Sequence, residues 1–194
     1  MPKKEECVLS PNFIDILLNR RKEVKKILEN EEKEKYYESI IIQYSLIEST
    51  LKYMVFLQLS YNLAALHTNK KTSYEDFSFK MEKLKVYCQG LSFYQALHLA
   101  ISSNVIDEKL YKQIESIRNE RNDWIHQCWL LQYKSNSSKL KQELTIVNSA
   151  FWDLTITFGD LLVDFKRPEL IAKLIDLHLF FVKTPKKVQK KKIK

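Results

Sequence analysis

Glycine and proline are scarce in this chain. Its 194 residues include two glycines, Gly90 and Gly159, and four prolines, where average usage would supply roughly 14 and about 10. The prolines are Pro2, Pro11, Pro168 and Pro185, so none interrupts residues 12–167. A β-sandwich or barrel needs many tight turns, and those turns draw on Gly, Asn-Gly or Pro. An all-β fold is therefore excluded. Two distant glycines also cannot build G-x-G-x-x-G or G-x-x-x-x-G-K-[ST], which excludes a glycine-cradled phosphate site. The three cysteines, Cys7, Cys88 and Cys128, are odd in number and far apart. They give neither a disulfide framework nor metal-ligand spacing, and free thiols fit the reducing cytosol. The four histidines, His67, His98, His126 and His178, also lack ligand spacing, so no metal or other cofactor is expected. The first residues, MPKKEECVLS, contain no apolar run of signal-peptide length. The longest apolar region, Tyr53 to Leu66, is broken by Gln58, Ser60 and Asn62 and reads as too short and too polar for a bilayer span. The expected location is cytoplasmic, with no membrane partner.

Charge is concentrated at one end. The formal charge is +8, with 32 basic and 24 acidic residues. Residues 183–194 hold seven lysines and no acid, so residues 1–182 carry 25 basic against 24 acidic groups. The expected organisation is one near-neutral helical domain over 1–182 and a disordered lysine-rich tail over 183–194. The tail could add sequence-independent attraction to phosphate.

Helical signals fill the rest. Ser10-Pro11 is a helix start, followed by a charged helix to about Lys35. A second helix, about Tyr36–Leu66, is apolar nearly all round and should be central. Thr72-x-x-Glu75 resembles a capping box for a third helix ending near Gly90. A short fourth helix covers about Leu91–Ser103. Asp107 can cap a fifth, about Glu108–Tyr133, and KSNSSK breaks it. A sixth runs from about Leu140 to Phe165, and a last from about Glu169 to Val182. The fold class is all-α, a bundle of about six to seven helices.

The fifth helix carries the chemical signal. Its core-facing seam is Leu110, Ile114, Ile117, Arg121, Trp124, Cys128 and Leu131, stepping by four and three. Arg121 interrupts an otherwise apolar stripe, and a buried guanidinium needs a partner. Glu48, inside the apolar second helix, is the candidate counter-ion. At about 100° per residue, Arg118, Asn122, His126 and Trp129 form an adjacent stripe with hydrogen-bonding groups, a cation and a large aromatic. Such a stripe suits a binding cleft or a shared interface.

The run Arg121-Asn122-Asp123-Trp124-Ile125-His126 resembles the R-x4-H motif of the HEPN family (higher eukaryotes and prokaryotes nucleotide-binding domains), including the polar residue after the Arg. The resemblance covers roughly residues 36–166, with a long apolar helix carrying an internal Glu and the approach from Phe93 through Asn104-Val105-Ile106. It implies a HEPN-like bundle and a metal-independent endoribonuclease, often dimeric, acting in some members as a toxin or antiviral defence effector. The implied chemistry is attack of the RNA 2′-hydroxyl on the adjacent phosphorus, leaving a 2′,3′-cyclic phosphate. His126 would move the proton, Arg121 would neutralise transition-state charge, and Asn122 would orient the phosphate or His126. Arg118, Glu48 and Trp129 would support the site or bind substrate. Five residues at about 100° each leave Arg121 and His126 roughly 140° apart. In the family the motif helices of two protomers pack together, so the resemblance implies an isologous homodimer through this helix with a composite site; the alternative is one chain using arginine's long reach and a distorted helix. Members paired with a nucleotidyltransferase antitoxin carry Tyr two residues after the motif His, whereas this chain has Cys128. The expected partners are RNA, a second copy and a regulatory protein or antitoxin. The alternative is a non-catalytic helical module that binds protein or nucleotide and uses Arg121 structurally.

Overall fold

A computed structural model describes residues 13–68, 74–127 and 137–164, and the side chains at 14, 67, 68, 74, 75, 122–127, 163 and 164 fall outside that description. The described chain is all-helical: α1 (Phe13–Glu29), a 3-10 turn (Lys33–Lys35), α2 (Tyr36–Thr68), α3 (Tyr74–Gly90), α4 (Phe93–Ser102), α5 (Glu108–Gln127) and α6 (Ser137–Asp164). The expected all-α bundle is observed. Several expectations lie outside the described residues: the Ser10-Pro11 start, the Thr72-x-x-Glu75 box, the end of the fifth helix, the helix over 169–182 and the tail over 183–194.

α2 is the central helix because it has no polar face to turn outward. Ile40, Ile47, Leu51, Met54 and Val55 are fully buried. It packs most extensively on α6, and also on α3 and α4. Residues Lys33–Leu66 are long and apolar enough to cross a bilayer by length and composition alone, although 44% of the apolar window is buried within the bundle. The helix expected over about Tyr36–Leu66 is observed as Tyr36–Thr68, and the stretch that passes this test is longer than the Tyr53–Leu66 region weighed as a bilayer span from the sequence. α6 lays a regular seam against α2: Leu140, Leu144, Val147, Phe151, Leu154 and Phe158, at steps of four and three, are all 4% exposed or less. At one end Phe13, Tyr53 and Phe158 form an aromatic cluster joining α1, α2 and α6, with centroids 5.4–6.2 Å apart.

α1 is shorter than expected. It stops at Glu29 because Glu31 takes a left-handed conformation (φ 53°) and Glu32 N–H donates to Ile27 O at 3.1 Å. This is a Schellman closure without its usual glycine, so the stop carries no Gly signal in the sequence. The same closure ends α4, where Asn104 has φ 54° and Val105 N–H donates to Ala100 O at 2.9 Å. α4 begins at a capping box: Gln95 N–H donates to Ser92 Oγ at 3.3 Å and Ser92 N–H to Gln95 Oε1 at 2.9 Å. Asp107 caps α5 as expected, its Oδ1 accepting from Leu110 N–H at 2.7 Å. α5 thus starts at a fixed point and packs on α4 and α6.

Candidate functional site

The seam on α5 settles its orientation. Leu110, Ile114 and Ile117 are 5% exposed or less, so the positions beside them face the rims shared with α4 and α6. Arg121 continues the seam but is not sealed in the core: its side chain is 29% exposed. Its Nη1 lies 3.8 Å from Glu48 Oε2, while Glu48 Oε1 takes Lys52 Nζ at 2.8 Å. The expected counter-ion is found, but Lys52 already holds it closely. The guanidinium also stands over the buried Phe93 ring, 5.8 Å from its centroid. The expectation of a buried guanidinium is therefore corrected to a half-buried one. A partly exposed pair of this length is worth about 1 kcal/mol or less.

Arg118 repeats this relation one turn earlier. Its guanidinium stands 5.1 Å over Tyr94, the residue after Phe93, and Nη2 donates to Asn119 Oδ1 at 2.7 Å. Arg118 Nε is buried with no hydrogen-bond partner among the described residues. The two arginines of α5 thus sit over two consecutive rings at the start of α4. The backbone keeps positions 118, 122 and 126 on one face of α5, which is helical through Gln127. The side chains of Asn122 and His126, and all of Trp129, lie outside the described residues.

Two polar groupings beside this face are absent from the sequence reading. On the α4 side, Tyr94 and His98 are one turn apart with ring centroids at 4.1 Å. Tyr111 Oη lies 3.3 Å from His98 Nε2 and 2.9 Å from Glu115 Oε1. A phenol has one proton, and the carboxylate only accepts. The consistent assignment is Nε2–H of His98 donating to Tyr111, and Tyr111 donating to Glu115. Burial, then the bond to Glu115, raises the Tyr111 phenol above its ordinary value. The signal was legible in retrospect: Tyr111, Glu115, Arg118 and Asn122 step by four, three and four.

On the α6 side, Glu143 is 7% exposed and its Oε1 accepts from Tyr44 Oη at 3.0 Å. Burial, followed by a hydrogen bond with Glu120 of α5, pushes the Glu143 carboxyl up to about 7, while the Tyr44 donor and Lys139 act the other way. Tyr44 is likewise raised by burial and by the neighbouring Glu143 charge, with Arg121 opposing. Gln43 Nε2, beside Tyr44, donates to Asn148 Oδ1 at 2.9 Å. A polar layer therefore joins α2, α5 and α6 alongside Arg121. Among the described residues no group of three or more His, Cys, Asp or Glu is arranged to hold a metal ion. No family model matches the chain, and no curated protein or solved structure matches it.

Proposed function

We propose that the protein is a metal-independent endoribonuclease of HEPN type, with Arg121, Asn122 and His126 as its reacting groups. One observation carries the reading. Arg121 is fixed on a well-packed helix, yet its guanidinium stays partly open and is held only loosely by a carboxylate that Lys52 already occupies. A planar cation with donors to spare suits a phosphodiester whose negative charge grows in the transition state. The RNA 2′-oxygen attacks phosphorus, the bond to the 5′-oxygen breaks, and the products are a 2′,3′-cyclic phosphate and a 5′-hydroxyl. An imidazole, with an ordinary pKa near 6.5, stands at position 126 of each copy: one takes the 2′-hydroxyl proton, and the departing 5′-oxygen gains its proton from the imidazolium of the second copy or from water. Asn122, between Arg121 and His126 on α5, orients the phosphate. The angle between positions 121 and 126 is met by two copies packing through α5 and building composite sites. In this reading the substrate is RNA and the setting is that of a toxin or antiviral effector under a regulatory protein.

The test is incubation with total RNA in the presence of a chelator, followed by end-group analysis. Cleavage leaving cyclic phosphate ends is expected. Arg121→Ala and His126→Ala should each abolish it, and Arg121→Ala should lower stability by about 1 kcal/mol or less. Folded variants that cleave as well as the parent protein would end the nuclease reading. The Arg121–Glu48 contact favours one second reading, a non-catalytic module that binds a protein or nucleotide. That module would leave RNA intact whatever stands at position 126.

A further inference from the structure

We propose that Tyr94, with Arg118 above it and the His98–Tyr111–Glu115 chain beside it, is a base-stacking subsite for single-stranded RNA leading onto the motif face of α5. The inference rests on RNA being the substrate, as proposed above. Tyr94 is 50% exposed, although it directly follows the buried Phe93. A large ring left half in solvent at the rim of two helices is a platform that any base can use, because every base has a π-face. The platform is held in place by its neighbours. His98 packs against the ring at 4.1 Å, and His98 is itself tied to Tyr111 at 3.3 Å, which is tied to Glu115 at 2.9 Å. The capping box at Ser92 fixes the start of α4 two residues before Tyr94.

Arg118 supplies the second half of the subsite. Its guanidinium lies over the ring at the long distance of 5.1 Å, and its Nε is buried without a partner among the described residues. A base sliding onto Tyr94 takes the place of the guanidinium. The freed fork then has donors for the phosphate attached to that base. Arg118 is one helical turn from position 122 and two turns from position 126, so the strand leaves the ring along the same face of α5. Glu115 lies on the opposite side of Arg118 along that face, and its charge steers the backbone away from the Tyr111 end and toward position 122.

The test measures binding apart from cleavage. A dye-labelled oligoribonucleotide with 2′-O-methyl groups throughout has no free 2′-hydroxyl to attack, so it reports affinity alone. Anisotropy titrations with the full chain at one fixed salt concentration compare the parent protein, Tyr94→Leu and Tyr94→Phe. A second probe of the same length, abasic but with every phosphate, separates stacking from charge. Tyr94→Leu should weaken binding of the first probe at least about fivefold, the lower end for loss of one stacked base. Tyr94→Phe should retain it, and the abasic probe should bind the parent and Tyr94→Leu alike. Equal affinity of parent and Tyr94→Leu for the first probe overturns the subsite, as does equal affinity of the parent for the two probes. A parallel cleavage assay on unmodified RNA keeps the two readings apart. Tyr94-dependent binding without cleavage leaves the subsite and removes the nuclease. Cleavage with Tyr94-independent binding does the reverse. The absence of both binding and cleavage removes both.

Discussion

Glu143→Gln should stabilise the protein at neutral and alkaline pH and leave it nearly unchanged in acid. Glu143 is 7% exposed on α6, accepts from Tyr44 Oη of α2 and hydrogen-bonds Glu120 of α5. The charged groups facing it are Glu120 from α5 and Lys139 from its own helix. Burial and Glu120 favour the protonated carboxyl, which can donate to Glu120 while still accepting from Tyr44. Its pKa is about 7 in the fold against an ordinary 4.5. Each pKa unit corresponds to about 1.36 kcal/mol, so the difference amounts to about 3 kcal/mol at most. The native state binds the extra proton, so this stability is fully present below about pH 4.5. It drains away as pH rises and is gone above about pH 7. Glutamine reproduces the protonated form, with Oε1 accepting from Tyr44 and Nε2 donating to Glu120, and does not titrate. The stability gap between Glu143→Gln and the parent should be near zero at pH 4.5 and about 2–3 kcal/mol in favour of glutamine at pH 8. For a chain of this size that is a rise in Tm of roughly 5–10 °C. The assay is thermal unfolding by circular dichroism at half-unit pH steps. Taking the difference between the two proteins cancels the carboxylates Glu31, Glu32 and Glu108, which lysine partners lower. A gap that does not change with pH, or glutamine being the less stable at pH 8, would refute the reasoning.

Two further outcomes follow from single positions. Asn104→Val places a β-branched residue at φ 54°, where the left-handed backbone costs about 1–2 kcal/mol, so Tm should fall by roughly 2–8 °C. Asn104→Gly should be neutral or slightly stabilising, and similar melting for all three would mean that the α4 closure is misplaced. Burial pushes the Cys88 thiol up to about 11, and the residue is 2% exposed. About one thiol in a thousand is then ionised at pH 8. Site-resolved mass spectrometry after iodoacetamide should find Cys88 unmodified in the native protein and modified once denaturant is added. Native labelling at the rate of a free thiol contradicts its placement in the core.

Periodicity made most of the fold legible. The seam Leu110–Ile114–Ile117 on α5 is buried as its spacing requires, and α2, apolar on every side, lies at the centre. The loss of α1 beyond Glu29 was not legible, because its closure uses a left-handed Glu31 where a glycine would have announced it. The capping box at Ser92 and Gln95 has the ordinary S-x-x-Q spacing and is legible in the sequence. Around the site, the Glu48 partner of Arg121 could be read from an acid inside an apolar helix. Glu143 could not, because its role depends on Tyr44, 99 residues away, and on Glu120 of a third helix. Local patterns disclose which face of a helix is buried. They do not disclose which buried polar groups meet.

The polar layer bears on the proposed function through the rotation of α5. Apolar contacts alone tolerate some rolling of one helix on another, since many neighbouring packings bury similar area. A buried polar pair does not, because a small rotation leaves a desolvated group without its partner. Glu120 is bound to Glu143 on one side of α5, and Arg121, the next residue, reaches Glu48 of α2. On the other side Tyr111 is bound to His98 of α4. α5 thus meets polar groups of three different helices, at points about two and a half turns apart along its axis; the contact to the buried Glu143 is the one whose loss is costly, while the Arg121–Glu48 contact is loose and the Tyr111–His98 contact half-buried. A helix whose orientation were set by apolar packing alone would need none of them. The contact of Glu120 with the buried Glu143 thereby limits the direction in which positions 118, 122 and 126 face, which is the property that the proposed site, assembled from helix-borne groups, requires.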